Sequence, residues 1–173
     1  MDELDEVWTQ KINEAVNQAR SDGRGDVADY LALKISNDAL RSTGVKWLFD
    51  ALVEIASFTN RNNSNITMEN ENPHRFAFGN ANLVGSLLRF RQGVRCLTLE
   101  AGWTRTPNDG FMRGGALSCA KLTHFGISKY NADLLLVHSD NLLNWISVDK
   151  NGGKNSFDST HLNRHFKIFT GEI

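Results

Sequence analysis

The sequence predicts an α+β fold, with about three N-terminal helices packed on one face of a mostly antiparallel sheet of four to five strands and a short C-terminal helix. Three observations carry this expectation. Apolar residues recur near a 3.6-residue period through the first third of the chain. From Arg75 onward the alternation shortens to every second residue. Breaks rich in Gly, Pro and Asn then separate the alternating runs at hairpin spacing.

Leu4, Val7, Trp8, Ile12, Ala15, Val16 and Ala19 form one helical stripe, with Asp2, Glu3, Asp5 and Glu6 in the first turns, where the helix dipole favours anions. The stretch 21–26, SDGRGD, breaks the chain, and its Arg24-Gly25-Asp26 tripeptide is read as part of that turn. Asp26 caps a second, short helix through Ile35, which Ser36-Asn37-Asp38 interrupts. A third helix is expected over about 43–58, with Val45, Leu48, Phe49, Leu52, Ile55 and Ala56 on one face.

Residues 59–75 are dominated by asparagine and nearly lack apolar side chains, so they read as a loop: either Asn65-Ile66-Thr67-Met68 adds a short edge strand, or the stretch is mobile, or it has a binding role. One domain is expected over 1–173: a helical half of about 1–58, the Asn-rich loop 59–75, a sheet half 76–150 and a helix at about 160–169. In the sheet half, Gln92-Gly93 is placed as a two-residue hairpin turn. Leu88, Phe90, Leu97, Leu99 and Trp103 then share an apolar, core-facing side. Arg89, Arg91, Cys96, Thr98, Glu100 and Thr104 share the other, because a slip by one residue would scatter the apolar set. A second hairpin bends at Pro107 to Gly110 and sets Arg113 opposite Thr104. Further strands are expected at 116–125, 133–138 and 144–148, and Ser159 or Thr160 caps the last helix.

Composition narrows the function classes. Hydrophobic residues make up 40% and charged residues 23%, as in a globular domain. The net charge of −1 supplies no field for nucleic acid or an anionic membrane, so nucleic acid is not an expected partner. Two cysteines, Cys96 and Cys119, cannot build a disulfide framework or a four-thiolate zinc site. The acidic start has no signal-peptide pattern and no window is apolar enough to span a membrane, so the expectation is a cytoplasmic protein.

Familiar catalytic motifs fail on spacing. A phosphate-binding loop at 151–155 would need Gly at Val148 and Ser or Thr at Asn155. His161 and His165 stand four apart, but Leu162 occupies the place of a metalloprotease glutamate, which leaves a solvated helix face as the expectation for both. Lys150 adjoins Asp149 rather than standing two away as a nuclease triplet requires, and Glu100 has Gly102 at that offset. No metal and no cofactor is expected.

What remains is the polar side of the sheet. Arg89, Arg91, Thr98, Glu100, Thr104 and Arg113 are the candidate ligand-binding residues, because strand residues two apart project together. Gly114-Gly115 leaves one fork open. Without a bulge, Lys121 joins Glu100 and Arg113, a set able to hold a phosphate. With a bulge, Ser118 and His124 join them as a loose acid–base set. Glu100, Lys121 and His124 are the candidate catalytic residues. The leading expectation is a small soluble binding or interaction module that self-associates, with a homo-oligomer partner and room for a small anionic ligand. The alternative is a phosphate-handling, nuclease-like hydrolase using Glu100. A third, weaker expectation is salt-sensitive nucleic-acid binding through Arg89, Arg91, Arg95, Arg113 and Lys121.

Overall fold

A computed structural model describes residues 3–173. Among the described residues the fold is α+β, with three α-helices and one seven-stranded, fully antiparallel sheet. Helices α1 (Glu3–Ser21) and α2 (Gly25–Asn60) come first. Strands β1 (Thr67–Phe78), β2 (Ala81–Gln92), β3 (Arg95–Trp103), β4 (Ser118–His124), β5 (Ala132–Ser139), β6 (Leu142–Val148) and β7 (Lys154–Phe157) follow, and α3 (Ser159–Thr170) ends the fold. Each strand pairs with its sequence neighbour, so the sheet is a simple meander.

The chain divides into two compact units at Ser42/Thr43. The first holds α1 and the opening turns of α2, whose small core is Val16, Ala19 and Ala28 with Ile12, Val27, Leu31 and Ile35 against it. The second unit, 43–173, holds the sheet. One sheet face takes Leu88 and Phe90 (β2), Leu97, Leu99 and Ala101 (β3), Ala120 and Leu122 (β4), Leu134 and Leu136 (β5), Trp145 (β6) and Phe157 (β7). Leu48, Leu52 and Ala56 of α2 and Leu162, Phe166 and Phe169 of α3 cover it. Gly44 sets how closely α2 approaches: a Cβ there would lie 2.5 Å from a Leu136 methyl carbon, and the Trp145 indole N–H donates to the Gly44 carbonyl at 3.0 Å.

Several sequence expectations are corrected. The sheet has seven strands rather than four to five, and two helices rather than three precede it. Ser36-Asn37-Asp38 does not interrupt α2, because these residues cost only tenths of a kcal/mol each in a helix, and Asp38 pairs with Arg41 one turn on at 2.7 Å. The expected loop 59–75 divides instead between the last turn of α2, a turn with positive φ at Asn63 and Asn65, and most of β1. One asparagine has a clear local role there. The Asn60 amide donates to the Ile66 carbonyl at 2.9 Å and its oxygen accepts the Ile66 N–H at 2.8 Å, latching the buried Ile66 ahead of the edge strand.

The β2–β3 turn is Gly93-Val94 rather than Gln92-Gly93, with Gln92 opposite Arg95, Phe90 opposite Leu97 and Leu88 opposite Leu99. Gly93 adopts φ 60°, which suits the first position of a tight hairpin turn. The pairing moves by two residues, so Leu88, Phe90, Leu97 and Leu99 stay on one face and Arg89, Arg91, Cys96, Thr98 and Glu100 on the other. The second hairpin does not form. β3 stops at Trp103, and the Asp109 carboxylate accepts the N–H groups of Arg105 and Thr106, each at 2.9 Å, closing a 3-10 turn at Pro107–Asp109. A second turn, Arg113–Gly115, bends through positive φ at Gly114 and Gly115. Trp103, expected in the core, is half-buried instead, with the Arg105 guanidinium 4.0 Å above its ring.

Candidate functional site

Cross-strand pairing assembles the second sheet face row by row. One row reads Glu71 (β1), Leu87 (β2), Glu100 (β3), Lys121 (β4), Asp133 (β5), Val148 (β6) and Lys154 (β7). The next row toward the Gly93 turn holds Glu69, Arg89, Thr98 and Thr123. Among the described residues of this unit, the helices pack on the opposite face. At one end of the charged face the 104–117 segment bends over, contributing Ala116 and Met112 to a second apolar cluster with Phe78, Ala81, Leu83, Cys119 and Leu135.

The glycine fork resolves toward Lys121, which stands directly opposite Glu100. His124 and Ser118 lie on the helix-covered side. His124 is 3% exposed, and Ser118 is fully buried, its hydroxyl donating to the Gly102 carbonyl at 2.7 Å. Thr104 falls beyond the end of β3, its N–H directed at the Met112 sulfur at 3.4 Å, so it leaves the candidate set. Arg113 is not opposite Thr104. It reaches the charged face from the 3-10 turn, 3.6 Å from the Asp133 carboxylate. Arg89, Arg91, Thr98, Glu100 and Lys121 do share the face.

Sequence reasoning missed His74. Its ring lies between two carboxylates: Nε2 is 2.7 Å from Glu100 and Nδ1 is 3.7 Å from Glu71. A register shift in β1 between Glu71 and His74 puts the imidazole on this face. The alternation of Phe76 and Phe78, carried two residues back, would have found it. The Nε2 contact with Glu100 ties the bulged edge strand to β3.

Three further cations of this face are engaged as well. Arg89 and Arg91 share Glu69 at 3.2 and 3.6 Å, and the Lys121 ammonium donates to the Ala77 carbonyl at 3.0 Å and lies 5.9 Å from the Phe78 ring centre. Burial pushes the Cys119 thiol up to about 12, so it stays protonated and a poor nucleophile. No group of three or more His, Cys, Asp or Glu positioned to hold a metal occurs among the described residues. No described helix is long and apolar enough to cross a membrane.

A second constellation lies under α3. His124 and His165 stack with ring centres 5.2 Å apart and share a hydrogen bond, Nε2 to Nδ1, of 2.9 Å. Burial holds both imidazoles below the usual histidine range, His165 down to about 4, with the nearby His124, Arg164 and His161 disfavouring its proton further. His165 is therefore not on a solvated helix face as expected, whereas His161 stays exposed and bonds the Asp158 carboxylate at 2.8 Å.

Comparisons of the chain with protein-family models, with curated proteins and with solved structures give no match.

Proposed function

We propose that the chain is a non-enzymatic interaction module that self-associates through the charged sheet face. One observation carries this reading: that face presents both signs in a cross-strand pattern, Glu71, Glu100, Lys121 and Asp133 in one row beside Glu69 and Arg89 in the next. A two-fold axis brings a surface against itself, and a patch holding both signs can be complementary to its own copy where a single-sign patch cannot. Half-buried Phe76, Val137, Ile146 and Val148 add apolar area at the same end as the second cluster.

The sheet edges favour face contact over edge contact. β1 carries Glu69, Glu71, Pro73 and a register shift, and β7 is four residues long, features that blunt strand addition. The nuclease-like alternative gains nothing from the geometry, since Glu100 is held by His74 and Arg89 and Arg113 each face an acid. Sedimentation velocity over about 1–100 μM, the range in which modest interfaces form, tests the reading. A reversible species at twice the 19.4 kDa chain mass is expected. A single 19.4 kDa species throughout would end it.

A further inference from the structure

On the helix-covered side of the same unit, a cavity of about 280 Å3 opens between α3, the 3-10 turn Ser128–Tyr130 and the end of β6. Lys129, Tyr130, Phe157, His161, Arg164 and His165 line it. Its cations differ from the arginines of the sheet face. There, Arg89, Arg91 and Arg113 each have a carboxylate partner. Here, among the described residues, neither Lys129 nor Arg164 is in an ion pair. The Lys129 ammonium sits 4.9 Å from the Tyr130 ring centre.

The acids nearby are already occupied. Asp149 also lines the cavity, but its Oδ1 accepts the N–H groups of Asn151 at 2.9 Å and Gly153 at 2.7 Å within its own turn. Asp158 accepts from the N–H groups of Thr160 and His161 at the start of α3 and bonds the His161 ring. Two cations outside any ion pair and the imidazoles of His161 and His165 therefore line a space whose one lining carboxylate, Asp149, is bonded to backbone through Oδ1. The rest of the lining includes apolar Phe157, Ala132 and Ile168 beside the polar Asn131 and Ser147.

We propose that this cavity binds a small organic oxyanion, its phosphate or carboxylate group held by Lys129 and Arg164 with His161 and His165, and its apolar body against Phe157. The volume lies just below the roughly 300 Å3 at which drug-sized pockets begin, so the ligand is small. The site is separate from the charged sheet face, and its test does not depend on self-association.

The test is a titration of isotopically labelled protein with phenyl phosphate, with benzoate and with inorganic phosphate, following the ring C–H signals of His161 and His165. Saturable shifts of both signals by an organic anion, with Kd of about 1 mM or tighter, are expected. Inorganic phosphate should bind about tenfold more weakly for lack of an apolar body. Lys129→Gln/Arg164→Gln should weaken phenyl phosphate at least about tenfold, and Lys11→Gln, in the other unit, should leave it unchanged. No saturable shift with either organic anion, or undiminished affinity in the double variant, would overturn the proposal. Equal affinity for inorganic and phenyl phosphate would overturn the apolar half of it.

Discussion

Replacing Gly85 by alanine is expected to lower the unfolding free energy by about 3 kcal/mol, the upper range for forcing atoms into a packed site. Gly85 pairs directly with Gly102 across β2 and β3. A Cβ at Gly85 would lie 1.8 Å from the Ala101 carbonyl oxygen and 2.6 Å from the Gly102 Cα, both backbone atoms. Relief requires the β2–β3 ladder to open, which a rotamer change cannot do. The same glycine stands opposite His74, so opening the ladder also strains the bulge that brings His74 to Glu100. Urea denaturation of wild type and Gly85→Ala measures the loss. A difference under about 1 kcal/mol, typical of a tolerated surface change, would show that the two strands do not approach this closely.

Acid should weaken the fold through the His124–His165 pair well before the carboxylates titrate. In the unfolded chain each imidazole takes a proton near 6.5, whereas in the fold burial lowers both, His165 to about 4. Between those values the unfolded state binds more protons, so this contribution is whole above about pH 6.5. It is then lost progressively as the pH falls toward about 4. Each pH unit between the unfolded and folded values is worth about 1.36 kcal/mol, so His165 alone accounts for about 2–3 kcal/mol by pH 4.5. Asp109 and Asp158 are held below their ordinary 3.8 by hydrogen bonds, mainly from backbone for Asp109 and from His161 for Asp158. Their contributions are therefore lost only at lower pH. Urea midpoints at pH 7 and pH 4.5 for wild type and His165→Gln check this. The wild type should lose about 2–3 kcal/mol and the variant clearly less. Equal losses would show that the acid sensitivity arises elsewhere in the chain.

Residue pattern made the two faces of the central sheet legible. Leu88, Phe90, Leu97 and Leu99 alternate with Arg89, Cys96, Thr98 and Glu100, and parity survives a turn misplaced by one position because the pairing moved by two. The edges were not legible. β1 is exposed along most of its length, so it carries little apolar alternation, and β7 is too short to show any. The second hairpin was misread because the Asp109 carboxylate, not the Pro107–Gly110 turn alone, dictates where the chain goes.

The candidate site divides in the same way. Arg89, Arg91, Thr98, Glu100 and Lys121 follow from strand parity alone. His74 depends on a register shift inside the edge strand, and Arg113 arrives through two glycines at positive φ. The His124–His165 contact joins residues 41 apart, and only the docking of α3 on the sheet creates it. Spacing along one helix, the one clue that His161 and His165 offered, pointed to solvent for both.

A charge-swap experiment tests the central claim, that copies of the chain meet through the charged sheet face. Arg91→Glu/Arg113→Glu makes that face acidic and Glu69→Lys/Asp133→Lys makes it basic, at side chains that are 43–53% exposed. Exposed pairs of this kind contribute about 1 kcal/mol or less to stability, so both variants should fold. Light scattering should give each variant alone the 19.4 kDa mass of one chain, and an equimolar mixture twice that mass. Variants that still dimerise alone, or a mixture that stays monomeric, would contradict the claim.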